Sequence, residues 1–351
     1  MRLLSRVAAV AGLLVVTLAT PAHAAGGRIV DVTTGPELAQ AVANAQPGDI
    51  IRMADGEYRA EVFATVSGTP AAPITLTGSR NAVIINDNFE QSTTPCPSGH
   101  TAYGVWLNQA SYWRLVGFTI AFSKKGIVVD HATGVLISGV LVHDIQEEGV
   151  HFRKSTTDSA IIGSTIRTTG LVKPQFGEGV YIGSAFGNWR CYGEAGAGTP
   201  DRSDRIRVIG NRFGPDVTAE HIDIKEGTVG GAVIGNFFDG RGIVAADHFA
   251  DSWVDAKGSD YDLIGNFGFY RQTEGSVFAH GYETHEQFDL GYGCGNVFRG
   301  NYSDLGGVGT FAFNVTNQDG CPDNPNVVYD SNVVTGALGG LTNVEVTPEG
   351  G

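Results

Sequence analysis

Two short segments of this sequence carry the same pair of ionisable side chains in the same order. HIDIK places Asp223 and Lys225 two residues apart, and WVDAK does the same with Asp255 and Lys257. Both read as β-strands, in which side chains two apart share a face. Ile222, Ile224, Val254 and Ala256 then point one way, and the acids and lysines the other. If the strands are neighbours, Asp223 lies beside Asp255 and Lys225 beside Lys257, at a strand spacing of about 4.8 Å. A lysine next to a second cation has its charged form disfavoured, which makes its amine a better base. Carboxylates at the same place pull the other way, or hold a hard cation through several oxygens. Glu220, Asp223 and Asp255 are candidate Ca²⁺ ligands, and no other cofactor is expected.

These strands belong to a repeat. Related strands occur at 105–108, 127–130, 150–153, 180–183, 222–225, 254–257, 277–280 and 311–314, the closest about 22 residues apart. Each is followed by a second apolar segment, and five of those segments carry an aligned asparagine: Asn211, Asn236, Asn266, Asn301 and Asn332. Asn tolerates a tight corner, and a stacked column of Asn side chains hydrogen-bonds between turns. Units this short are too small for four-stranded propeller blades, and the leucine-rich pattern is absent. The expected fold is all-β, a single-stranded right-handed parallel β-helix of about ten rungs. Pro36, Leu38, Ala41, Val42 and Ala45 mark a short amphipathic helix that caps its N-terminal end.

Alternation assigns the outer face. One outward column reads Asn108, Asp130, Arg153, Gly183, Lys225, Lys257, His280 and Asn314, while every residue assigned inward is apolar. Arg153, Lys225, Lys257, His280, Asp223 and Asp255 are therefore the candidate catalytic residues. Trp106, His151, Tyr181, Trp253 and Phe278 fall on the same face as candidate substrate-binding groups, where rings stack on sugars.

Residues 1–24 have a positive start, an apolar run and an Ala-His-Ala end, the pattern of a secretory signal, leaving 25–351 as one domain. The remainder has a formal charge of −16, from 21 Lys+Arg against 37 Asp+Glu, which argues against nucleic-acid binding. No segment suits a membrane span, so a secreted, extracellular monomer is expected. Its four cysteines are expected to pair as Cys294–Cys321, in consecutive turns, and as Cys96–Cys191 by elimination. The two cysteine-bearing insertions before 105 and after 183 should flank a groove.

The repeat style resembles the secreted pectin-lyase-like superfamily of right-handed parallel β-helices. Residues 218–266, around AEHIDIKEG, resemble the chondroitinase B and alginate lyase family. That resemblance implies a polysaccharide lyase acting on an acidic polysaccharide. Glu220 matches a calcium-binding carboxylate and Lys225 the catalytic base. Lys257 stands where the family has an acid Arg, and Thr218 where it has a further acidic ligand. Such an enzyme cleaves a uronic-acid polymer by β-elimination: a base removes the C5 proton and the O4 bond breaks. Two other readings remain open, a β-helix glycoside hydrolase using Asp223 and Asp255, and a non-catalytic carbohydrate-binding β-helix.

Overall fold

A computed structural model describes residues 27–89, 96, 102–193, 198–244, 250–272, 278–285, 289–316 and 318–350; the signal segment expected at 1–24 lies outside them. The strands form three parallel sheets of twelve, ten and ten strands. Each strand pairs with its equivalent one turn later, so the chain winds through all three sheets and returns. This is a parallel β-helix. One turn contains Ile222–Ile224, Ala232–Ile234 and Phe237–Asp239; the next has Ser252–Ala256, Asp262–Ile264 and Phe267–Phe269.

The apolar segment after each first strand is thus two strands in two different sheets. Between them lies only a short corner, Gly-Asn in four successive turns from Gly210-Asn211 to Gly300-Asn301, too short to interrupt the apolar pattern. The left-handed residue there is the glycine: Gly210, Gly235, Gly265 and Gly300 have φ of 61–63°. The asparagine does a separate job. Asn236 Oδ1 accepts from the Asn211 amide at 2.9 Å, Asn236 Nδ2 donates to Val208 O at 2.8 Å, and the same contacts continue through Asn266, Asn301 and Asn332. The column supplies hydrogen bonds where the corner leaves backbone groups without ladder partners.

Inside, most of the expected apolar column is buried: Val105, Ile127, Phe152, Val180, Ile222, Ile224, Val254 and Phe313 are all 0% exposed, whereas Ala279 and Phe311, also expected inward, are only half-buried and Val277 lies outside the described residues. Each such side chain contributes about 1.5–3 kcal/mol relative to exposure. The capping helix forms at Gly35–Ala43. Thr34 and Glu37 make a capping box at its start, and Leu38 and Val42 seal the open end of the core. Both disulfides pair as expected, Cys96–Cys191 with Cα atoms 5.2 Å apart and Cys294–Cys321 with 5.6 Å.

Strict alternation fails one residue before several first strands. The amides of Gly126 and Ile127 both bond to the same neighbouring turn, at Glu148 O (3.1 Å) and Gly149 O (3.0 Å). In a regular strand consecutive amides face opposite ways, so this position carries an extra residue, as a bulge does. The pattern repeats at Gly149–Val150 and Gly179–Val180. A Cβ on Gly126 would meet Val142 Cγ1 at 2.6 Å, and one on Gly179 would meet Phe213 Cδ1 at 2.7 Å. Glycine is needed because this extra position faces the core.

Candidate active site

The lapse in alternation decides which side chains reach the groove on the outer face of the sheet that holds Ile222–Ile224. Where the extra residue is not glycine it is His221 or Trp253, and both are 0% exposed. His221 stacks between Phe213 and Phe238, and Trp253 packs against Phe238 and Tyr282. The sequence assignment of Trp253 to substrate binding is therefore corrected: it is a core residue. The residue before the extra position points out instead. It is Lys125, Glu148, Glu178 or Glu220 in successive turns, and all four line the groove.

At the centre the in-register neighbours are Tyr181, Asp223, Asp255 and Glu283. Lys225 Nζ lies 2.5 Å from Asp223 Oδ2; Lys257 is in contact with Asp255 and 3.6 Å from Asp223 Oδ1. Burial works to lower the pKa of both lysines, but the carboxylates of Asp223, Glu220 and Asp255 outweigh it and hold both above the usual lysine value. Lys225 does act to lower Lys257, as one lysine beside another should, but the carboxylates, which the sequence also set against this effect, decide the net direction. Burial works to raise Asp255, but Lys257, His285 and Lys225 keep it below its usual range.

Beside this pair, Glu178, Glu220 and Asp223 bring carboxylate oxygens within 4.8 Å of one another. All three are at most 4% exposed, and among the described residues Glu178 Oε2 and Asp223 Oδ1 have no hydrogen-bond partner. Burial, then the neighbouring acids, pushes Glu178 and Glu220 well above the glutamate range. Three converging oxygen donors with unused lone pairs fit a hard divalent cation. Asp255, the third ligand expected from sequence, is not in this cluster, because it turns to Lys257 and His285. Glu178 takes its place from the preceding turn. Thr218 instead donates to Pro174 O at 2.9 Å.

Tyr181 lies over the same centre, with Lys225 Nζ 5.0 Å from its ring centroid. Burial and then Asp223 and Glu178 raise the Tyr181 hydroxyl well above its usual range, so it keeps its proton. His151 packs edge-on against Tyr181, 4.5 Å between centroids, and its Nε2 donates to Gly183 O at 2.9 Å. Burial lowers His151, against the opposing pull of Glu148, whose Oε1 lies 3.5 Å from Nδ1. Arg153 is also buried, fastened to Asp130 at 2.6 and 3.1 Å and lying 4.4 Å over the Tyr192 ring.

Three further assignments change. His280 begins the strand His280–Thr284 rather than ending one, so Glu283 and His285 occupy the acid and cation columns in that turn. The sequence HGYET hides this register because its inward residues are Tyr282 and Thr284. Phe278 packs in the core between Trp253 and Tyr270, 4.9 and 4.2 Å between centroids. Trp106 does lie on the outer face, but it is 7% exposed, packs on Phe63 and Tyr103, and donates from Nε1 to Asp130 at 2.9 Å. It orients Asp130 for Arg153. Among the described residues, Phe176 is an exposed ring at the groove, carried by the 3-10 turn Pro174–Phe176. A recurring tripeptide could have located the groove acids: KGI, EGV and EGV, followed by EHI, at 125, 148, 178 and 220.

No family model matches the sequence, and no curated protein matches it. Solved structures do. An alginate lyase from Paenibacillus sp. str. FPU-7 is similar with a TM-score of 0.78 and 34% identity, over 91% of this chain and 99% of that one. A pectate lyase (TM-score 0.63, 13% identity, 91% and 78% covered) and a rhamnogalacturonan lyase (0.60, 11%, 92% and 85%) share the fold.

Proposed function

This chain belongs to the parallel β-helix polysaccharide lyases, the family of the Paenibacillus alginate lyase, and within it we propose that it cleaves a uronic-acid polysaccharide by β-elimination. Alginate is the first substrate to test. The observation that carries this reading is Lys225 beneath the Tyr181 ring, next to three buried, converging carboxylates. The Lys225 amine, once deprotonated, takes the C5 proton; the electron pair forms the C4–C5 double bond and the C4–O4 bond breaks. The Tyr181 hydroxyl, kept protonated by its surroundings, gives its proton to O4. The resulting phenolate then recovers a proton from the Lys225 ammonium, which closes the balance. Both groups project from one sheet face, so the proton and the leaving oxygen depart from the same side of the sugar ring.

Glu178, Glu220 and Asp223 would hold a divalent cation, with Ca²⁺ the best match to an all-oxygen set. When bound, it supplies positive charge against both these carboxylates and a uronate carboxylate, which weakens their hold on the Lys225 proton. Lys257 orients Asp255 and helps balance Asp223. The hydrolase reading needs a protonated carboxyl in the Asp223–Asp255 pair, and Lys257, His285 and Lys225 favour the ionised form of Asp255. Secretion is supported by the 1–24 segment and the two disulfides. The test is incubation with a panel of uronic-acid polymers, with and without chelator, following the ultraviolet absorbance of the unsaturated uronide. Products lacking that absorbance would point to hydrolysis, and no products to a binding protein.

A further inference from the structure

The cavity of about 620 Å³ at Tyr181 and Lys225 runs on past Asp255 and Lys257 to Glu283 and His285. The strands that carry Lys225, Lys257 and His285 are successive neighbours, and His285 is the third member of that column. At about 4.8 Å per strand it stands about 10 Å along the axis from Lys225. A uronate carboxylate is bonded to the carbon that loses its proton. A carboxylate meeting His285 therefore belongs to another sugar of the chain than the one that reacts. The three column members differ in what they have to spare. Lys225 and Lys257 are 13% and 17% exposed, and each is held by its own aspartate. His285 is 38% exposed. Its Nε2 lies 3.5 Å from Asp255 Oδ1 and 3.8 Å from Glu283 Oε2, contacts that make no hydrogen bond, and Nδ1 makes none among the described residues. A protonated imidazole donates from both ring nitrogens, so His285 has a donor free for a ligand.

The acids around His285 leave room for an anion. Asp255 is in contact with Lys257. Burial, and then Asp251 and Asp255, keep the Glu283 carboxyl protonated up to about pH 8, and Asn314 Nδ2 donates to it at 2.7 Å. Asp251 shares a hydrogen bond with that carboxyl. Among the described residues at this end of the cavity, Lys257 and a charged His285 thus meet Asp255 and Asp251, with no net negative charge. Building on the lyase reading above, we infer that His285 is a specificity-determining residue. Its imidazolium binds the carboxylate of a uronate about two turns from the reacting sugar, and so selects chains that are acidic at that place. A neutral or esterified sugar there offers the imidazolium no charge-assisted hydrogen bond and is held less well.

Two replacements of His285 test this, in mildly acidic buffer where a histidine carries charge. His285→Gln should raise KM for long polyuronate by about three- to tenfold and leave kcat within about twofold, the mark of a contact made equally in ground and transition state. The same variant should be less retarded in affinity electrophoresis through polyuronate gels, a readout independent of turnover. His285→Lys keeps a cation in the column and should restore both KM and retardation. On a polyuronate with most carboxylates esterified, wild type and His285→Gln should migrate alike. Unchanged KM and retardation in His285→Gln would refute the assignment, and so would equal losses in the Gln and Lys variants. Retardation that falls with His285→Gln and returns with His285→Lys, in a protein releasing no unsaturated product from any polymer, would sink the lyase reading and leave the binding assignment standing.

Discussion

Lys225 is best tested by a replacement that preserves charge. Lys225→Ala removes the ammonium 2.5 Å from Asp223 Oδ2 and leaves that carboxylate, 1% exposed, with Lys257 at 3.6 Å as its one cationic partner among the described residues. Stripping one partner from a buried pair costs about 3–5 kcal/mol, so an inactive alanine variant would not separate lost chemistry from a damaged site. Lys225→Arg keeps a cation beside Asp223, yet a guanidinium does not give up its proton in a protein. If the Lys225 amine is the base, kcat should fall by about 10²–10⁴-fold. The melting temperature should move by only a few degrees, as expected for about 1 kcal/mol or less in a domain of this size. The assay is the initial rate of ultraviolet-absorbing product at saturating polyuronate, beside a thermal melt. A Lys225→Arg enzyme with more than about a tenth of wild-type kcat would refute the base assignment. Lys225 would then be a fixed positive charge, and the C5 proton would have to leave to another group of the groove.

Glu178→Gln should weaken divalent-cation binding at least tenfold by isothermal titration with CaCl₂, on the order of 1.4 kcal/mol or more for one lost carboxylate charge; equal affinity would remove Glu178 from the ligand set. Glu283 gives a pH signature. Burial, with Asp251 and Asp255 adding to it, pushes its carboxyl up to about 8, against the hydrogen bond that Asn314 Nδ2 donates to it at 2.7 Å. Because the folded state binds this proton more tightly, the group's contribution to stability is complete below about 4.5 and is lost as pH rises towards 8. The slope is at most about 1.4 kcal/mol per pH unit, and Glu283→Gln should flatten it; identical wild-type and variant curves of stability against pH would contradict this. Asn236→Ala should cost about 3–5 kcal/mol in denaturant unfolding, because it orphans the Asn211 amide and Val208 O inside the corner. A loss under 1 kcal/mol would show the asparagine column to be dispensable.

Much of the fold is legible along the chain because a parallel β-helix is nearly one-dimensional: each turn repeats the inward apolar pair and the corner asparagine, and each turn meets only its neighbours. That repetition brought Asp223 beside Asp255 and placed Lys225 and Lys257 at the end of their strands, as strand spacing and alternation alone require. Two things needed the folded molecule. The first is the extra residue before each first strand. A period-two reading carries alternation straight through it, and so places Trp253 outside and overlooks Glu178, Glu148 and Lys125. Only the ladder shows two consecutive amides bonding the same neighbour. The second is the protonation of the site. Sequence puts a second lysine next to Lys225 and argues for a lowered pKa. In the folded chain Asp223, Glu220 and Asp255 converge on it from two turns, and at these distances their combined charge outweighs both burial and the neighbouring ammonium.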